Sequence, residues 1–171
     1  DCARRITVQD GQVRGGAWAP INGMELFGKT VGIIGYGAIG QAAGRMANAF
    51  GMRVVGYSPV PQTELDSEMV RTTLDIEDVF READVVLVSA PLNEGSRNVI
   101  RAETIAKMKD GVIILNFARD LLVDDDAMAA ALASGKVARY VTDFPNGKTA
   151  NMPGCIAIPH LGASTEESED N

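Results

Sequence analysis

The stretch that most constrains this chain is Val31-Gly32-Ile33-Ile34-Gly35-Tyr36-Gly37-Ala38-Ile39-Gly40. Val31 to Ile34 is a short apolar run, the pattern of a strand buried at the centre of a parallel sheet. Gly35, Gly37 and Gly40 follow with the spacing G-x-G-x-x-G. Gly35 permits a tight turn, Gly37 lets the backbone approach a pyrophosphate, and Gly40 lets the next helix pack close to the strand. The free N–H groups and positive dipole end of that helix then face the phosphates. The motif alone is weak, and a glycine-rich turn with no ligand is the alternative. A strand before it and a helix after it are the context that dinucleotide binding needs.

A length of 171 residues suggests one domain, residues 1–171, with room for a substantial core. The apolar content of 46% and charged content of 23% are ordinary for a globular protein. The formal net charge is −7, and no basic run offers contacts to a phosphate backbone, so nucleic acid is not expected as a partner. Cys2 and Cys155 have neither metal-ligand spacing nor a disulfide framework, which suggests a reduced, cytoplasmic protein with no metal. No apolar run reaches transmembrane length, so no membrane partner is expected. Asp1-Cys2-Ala3-Arg4-Arg5 reads as a start in mid-chain, and Ser164-Thr165-Glu166-Glu167-Ser168 as the first turn of a helix cut short. A domain excised from a longer protein is the expectation.

The chain then alternates. A helix is expected from about Ala3 to Gln12, ending near Gly15 and Gly16, followed by an irregular arm from Trp18 to Lys29. After the glycine turn, Ala42, Ala43, Met46, Ala47 and Phe50 recur near a period of 3.6, which predicts a helix from Ala38 to Phe50 stopped by Gly51. Strands are expected at Arg53–Tyr57, at Arg71–Thr73 as a short edge, and at Asp84–Ser89, Gly111–Asn116, Val137–Thr142 and Cys155–Ile158. Helices are expected at Leu74–Glu82, with Thr73 as its cap, at Ala102–Met108 and at Asp125–Ser134. The run Asp124, Asp125, Asp126 reads as cap and first turn of the last of these; three adjacent carboxylates on a helix cannot all face one ion. Strand–helix alternation with apolar strands predicts an α/β fold, a doubly wound parallel sheet of the Rossmann, dinucleotide-binding type.

Ligands of such sheets sit at the carboxyl ends of the strands. The polar residues there are Ser58, Ser89, Asn93, Asn116, Arg119, Asp143 and His160. Arg119 can hold a carboxylate through two parallel hydrogen bonds. His160 is the only histidine. A lone histidine is commonly structural, but this one follows Pro159 past a strand end, where a general base would stand.

Four runs, Lys29–Gly40, Ala83–Leu92, Met108–Arg119 and Ile158–Thr165, occur in an order that resembles the D-isomer-specific 2-hydroxyacid dehydrogenases. Pro159-His160-Leu161-Gly162-Ala163-Ser164-Thr165 and Gly135–Pro145 look most like the branch of the family that acts on 3-phosphoglycerate in serine biosynthesis. The resemblance implies the NAD domain of an oxidoreductase for a small 2-hydroxy acid, with part of the substrate site on a second domain. It implies that Arg119 binds the substrate carboxylate and that His160 is the general acid/base. It places the pyrophosphate on Gly35, Tyr36, Gly37, Ala38, Ile39 and Gly40. Ser58 and Pro59 fall beside the adenosine ribose, and Asp143 near the nicotinamide carboxamide. Ala90, Pro91, Phe117, Ala118, Gly162 and Ala163 fall along the cofactor cleft.

The chain departs from the family pattern at Ser58, where aspartate is usual, and at Asp120, where glycine is common. The family glutamate that partners the histidine should follow Asp143, but Phe144-Pro145-Asn146-Gly147-Lys148 holds no carboxylate. The alternatives are a dehydrogenase for another 2-hydroxy acid and a non-catalytic NAD-sensing module. Family members pair as homodimers through an arm, and Trp18, Ile21, Met24, Leu26 and Phe27 form an apolar set on this one.

Overall fold

The computed structural model describes residues 1–169. Its centre is a seven-stranded, all-parallel sheet. The strands are β1 (Thr30–Ile34), β2 (Arg53–Tyr57), β3 (Val70–Thr73), β4 (Val85–Val88), β5 (Val112–Asn116), β6 (Val137–Thr142) and β7 (Cys155–Ala157). Their order across the sheet is β3-β2-β1-β4-β5-β6-β7. The chain winds outward from β1 in one direction and from β4 in the other. The crevice between the strand ends of β1 and β4 is therefore where such a sheet receives a ligand.

The central strands carry Val, Ile and Leu on both faces because both faces are covered. One face holds Ile34, Val86, Val88, Ile114 and Tyr140 under α3 (Ile76–Glu82), α4 (Ala102–Ala106) and α5 (Asp125–Ser134). Val79 and Phe80 of α3 are fully buried there, and truncating such a phenylalanine costs about 3–5 kcal/mol. The other face holds Ile33, Val54, Val85 and Leu87 under α2 (Ala38–Ala49), with Met24 and Leu26 of the arm.

The first helix, α1 (Ile6–Arg14), begins and ends later than expected and buries none of its residues. Short 3₁₀ turns at Thr63–Leu65, Asp120–Leu122 and Thr149–Asn151 were not anticipated. The cap of α3 is a correction: Asp75, not Thr73, accepts from the Glu77 N–H at 3.0 Å. The Thr73 hydroxyl instead donates to Asp78 at 2.7 Å. A carboxylate beside the first turn competes well against a hydroxyl two residues earlier. The aspartate run behaves as caps do. Asp124 accepts from the Asp126 and Ala127 N–H groups, Asp125 from Asn146, and Asp126 pairs with Lys148. The last helix, α6 (Glu166–Glu169), begins where a first turn was expected. No helix of the described residues is long and apolar enough to cross a membrane.

Candidate functional site

The glycine turn connects β1 to α2 at the crevice. Gly35 has φ +96°, and a Cβ there would lie 2.6 Å from the Ala90 nitrogen, so the turn requires glycine. Gly37 is different. Its φ of −83° suits any residue, and a Cβ there would meet open space. Gly37 caps α2 without a side-chain hydrogen bond, and the first intrahelical bond runs from the Gln41 N–H to the Gly37 carbonyl. The N–H groups of Ala38, Ile39 and Gly40 thus have no intrahelical partner.

Tyr36, the second residue of the turn, points its side chain inward. Its ring is buried over Gly56, and its N–H donates to the Tyr57 carbonyl at 2.9 Å. Its role is to pack the turn onto β2. Ser58 is also more enclosed than its strand-end position suggested. Its hydroxyl oxygen accepts from the Val60 N–H at 3.2 Å and from Gln62 Nε2 at 3.4 Å. One O–H remains to be donated. Pro59 follows it in the exposed loop.

Beyond the turn lies a cleft of about 710 Å³. Ile39, Ala90, Pro91, Phe117, Ala118 and Arg119 line it. The loop that carries Arg119 is held from beneath by Asn116, which is fully buried at the end of β5. The Asn116 Nδ2 donates to the Arg119 carbonyl at 2.8 Å, and its Oδ1 accepts from the Ala118 N–H at 3.1 Å. Nδ2 also reaches the Tyr140 hydroxyl at 3.4 Å. Burial pushes the Tyr140 phenol up to about 12, against the hydrogen bonds from Asn116 and Thr142. It is therefore a neutral partner at any physiological pH.

His160 lies past the end of β7, with its side chain 58% exposed, and its Nδ1 is 3.0 Å from Asp143 Oδ2. Asp143 sits at the end of β6, only 9% exposed. An ionised carboxylate only accepts, so a neutral His160 ring facing ionised Asp143 donates from Nδ1 and leaves Nε2 as its free nitrogen. The run Phe144–Lys148 supplies no carboxylate, as its sequence shows, and the carboxylate that stands beside His160 is Asp143, expected instead near the nicotinamide carboxamide. Phe144, the next residue, packs its ring 4.6 Å from the His160 ring at 46°. The Arg119 guanidinium carbon lies 5.0 Å from the centre of the same ring. Gly162 and Ala163 occupy the exposed turn after His160.

The site thus gathers Arg119, His160 and Asp143 at adjacent strand ends, with the glycine turn and the wall of Ala90, Pro91, Phe117 and Ala118 beside them. Phe144 was missed as a site residue, and Asn116, named among the polar strand-end residues, was given no role there. The signal for Asn116 was present, since a polar residue ending an apolar strand needs a partner. Phe144 gave none beyond its place beside Asp143.

The residues fit NAD. The uncapped N-terminus of α2 and the open space at Gly37 suit a pyrophosphate. The cleft walls are mostly apolar, as a nicotinamide needs. Asp143 Oδ1 is buried without a hydrogen-bond partner among the described residues, an acceptor suited to a carboxamide N–H.

Residues 1–162 match the model of the D-isomer specific 2-hydroxyacid dehydrogenase, NAD binding domain. A hydroxypyruvate reductase of Thermotoga maritima is 39% identical across 98% of this chain and 58% of its own length. A D-3-phosphoglycerate dehydrogenase of Methanocaldococcus jannaschii is 36% identical across 98% of this chain and 34% of its own. Among solved structures, a glyoxylate reductase from Paecilomyes thermophila superposes with a TM-score of 0.88 at 32% identity, over 99% of this chain and 54% of that one. The chain therefore spans little more than half, or less, of the length of these relatives. It belongs to the D-isomer-specific 2-hydroxyacid dehydrogenase family, whose NAD-binding domain it carries.

Proposed function

We propose that this chain is the cofactor half of a dehydrogenase that oxidises a small 2-hydroxy acid, most simply 3-phosphoglycerate, with the rest of the substrate site on a separate domain. The observation that carries this reading is the Asp143–His160 pair, one aromatic ring away from Arg119. The bound nicotinamide supplies the hydride acceptor. His160 Nε2 takes the proton of the substrate hydroxyl, while Asp143 holds the ring in that tautomer and stabilises the imidazolium. Arg119 holds the substrate carboxylate, and among the described residues it pairs with no carboxylate that would compete. Ala38, Ile39 and Gly40 N–H groups receive the pyrophosphate. Ser58 would hold the ribose, Asp143 Oδ1 would accept from the carboxamide, and Gly162 and Ala163, in the turn after His160, would border the cofactor.

The identity to the phosphoglycerate dehydrogenase of M. jannaschii supports 3-phosphoglycerate, and that to the hydroxypyruvate reductase of T. maritima supports another 2-hydroxy acid. Steady-state kinetics of the full-length enzyme on 3-phosphoglycerate, glycerate and glycolate decides between them. A preference for glycerate or glycolate overturns the first assignment. The absence of the family glutamate favours a non-catalytic module, and the Asp143 carboxylate 3.0 Å from His160 Nδ1 supports the catalytic reading instead.

We further propose a homodimer, in a cytoplasmic setting that suits two free cysteines. Trp18 is 90% and Phe27 78% exposed, and Ile6 and Val13 of the unburied α1 add to that apolar surface. Met24 and Leu26, by contrast, pack on the chain's own core. Light scattering at micromolar concentration tests the dimer, and a monomer contradicts it.

A further inference from the structure

We propose that Phe144 is a positioning residue that sets the spacing and tilt between the two reactive side chains, Arg119 and His160. The inference rests on the reading of those two residues given above. Phe144 touches both: its ring centre lies 4.6 Å from that of His160 and 5.0 Å from the Arg119 guanidinium carbon.

The backbone is built to hold that ring still. The Phe144 N–H donates to the Thr142 hydroxyl at 3.1 Å, and Thr142 is fully buried at the end of β6. Pro145 follows and confines Phe144 to extended backbone. Asp143 and Phe144 therefore grip the imidazole as one dipeptide, the first at Nδ1 and the second through its ring. A phenyl ring suits this task because it neither donates nor accepts at Nε2.

The same ring serves Arg119 for a different reason. The Arg119 side chain makes one hydrogen bond, to its neighbour's carbonyl, and forms no ion pair among the described residues. A carboxylate in the place of Phe144 would orient the guanidinium but would occupy the fork that an incoming carboxylate needs. An aromatic face holds the cation loosely and leaves the fork free.

His160 is the only histidine, so its ring nitrogens and protons are assigned in NMR without ambiguity. Isotope-labelled chain, free of cofactor, is compared as wild type, Phe144→Leu and Phe144→Tyr. In the wild type, the Phe144 ring protons give nuclear Overhauser contacts to the His160 ring and to Arg119 Hδ, and ¹⁵N shifts report the Nδ1–H tautomer. Phe144→Leu raises the minor tautomer about two- to tenfold, the range expected for losing one aromatic pair. Phe144→Tyr restores the wild-type balance. Absence of the contacts in the wild type, or a leucine variant with an unchanged tautomer balance, overturns the proposal. The wild-type contacts and the tyrosine variant decide it even where the leucine variant does not fold. Such a failure leaves the proton-transfer role of His160 standing, because that role is read separately from activity of the full-length enzyme.

Discussion

Asn116 and Thr142 are register partners at the carboxyl ends of β5 and β6, and each ties down the loop that leaves its own strand. Asn116 clamps Ala118 and Arg119, while Thr142 accepts from the Phe144 N–H. The Tyr140 hydroxyl accepts from a second N–H of Asn116 at 3.4 Å. Replacing Asn116 by Leu leaves the half-buried Ala118 N–H unpaired and removes one of the two donors to the Arg119 carbonyl, the other being the Leu122 N–H at 3.3 Å, a loss of about 1–3 kcal/mol for the orphaned N–H. Urea unfolding of Asn116→Leu is expected to show that loss. A variant as stable as the wild type contradicts the clamp.

Much of this architecture was legible because it is local. The buried run Val31–Ile34 and the glycines after it specify strand, turn and helix without help from the rest of the chain. Arg53–Tyr57, Asp125–Ser134 and Val137–Thr142 were read to the residue. What was not legible depends on contacts distant in sequence. Asp143 and His160 lie 17 positions apart, and only the pairing of β6 with β7 brings them together. Tyr36 sits in a turn that reads as a binding loop, yet its side chain turns inward onto Gly56, a direction no local pattern reports. Thr73 and Asp75 both suit a cap, and the carboxylate nearer the first turn takes the Glu77 N–H while the Thr73 hydroxyl turns to Asp78.

Asp84 carries an acid-stability prediction. It accepts from the Thr30 N–H at 2.8 Å and pairs with Lys109 at 3.0 Å. Burial opposes its ionisation, but these two partners outweigh that and hold its carboxyl below the ordinary 3.8. A depressed value means the contribution is full above the ordinary value and is lost as pH falls through the folded one. Asp84→Asn is expected to be less stable by about 1 kcal/mol at neutral pH. That difference fades towards acid in a pH series of urea midpoints. A constant difference contradicts the assignment.

Ser58 carries a specificity prediction. A carboxylate at the end of the second strand accepts from the ribose and repels a 2′-phosphate. Ser58 repels nothing, and its oxygen is engaged within its loop. Titration with both cofactors is expected to show NAD preferred over NADP by less than about tenfold, well short of the several kcal/mol of a like-charge clash. A clear preference for NADP overturns this.

The division of the substrate site predicts that this chain alone turns over no 2-hydroxy acid, since half a cleft neither aligns the substrate nor excludes water. In the full-length enzyme, His160→Ala is expected to lower kcat by about 10²–10⁴. Arg119→Ala should raise KM as well. Turnover of 3-phosphoglycerate by this chain at an ordinary enzymatic rate contradicts the two-domain account.

The central claim is that the turn between β1 and α2 receives the pyrophosphate of NAD. Gly37 tests it most directly, because its backbone is unstrained and a Cβ there meets no protein atom within 4 Å. Gly37→Val should therefore fold normally while filling the space that a phosphate needs. Calorimetric titration of the two proteins with NADH, beside their melting temperatures, is the measurement. The account predicts measurable binding by the wild type, at least about a tenfold loss in the variant, the equivalent of one charge-assisted contact of about 1.4 kcal/mol, and melting temperatures within a few degrees of each other. Equal binding by both proteins, or none by the wild type, contradicts it.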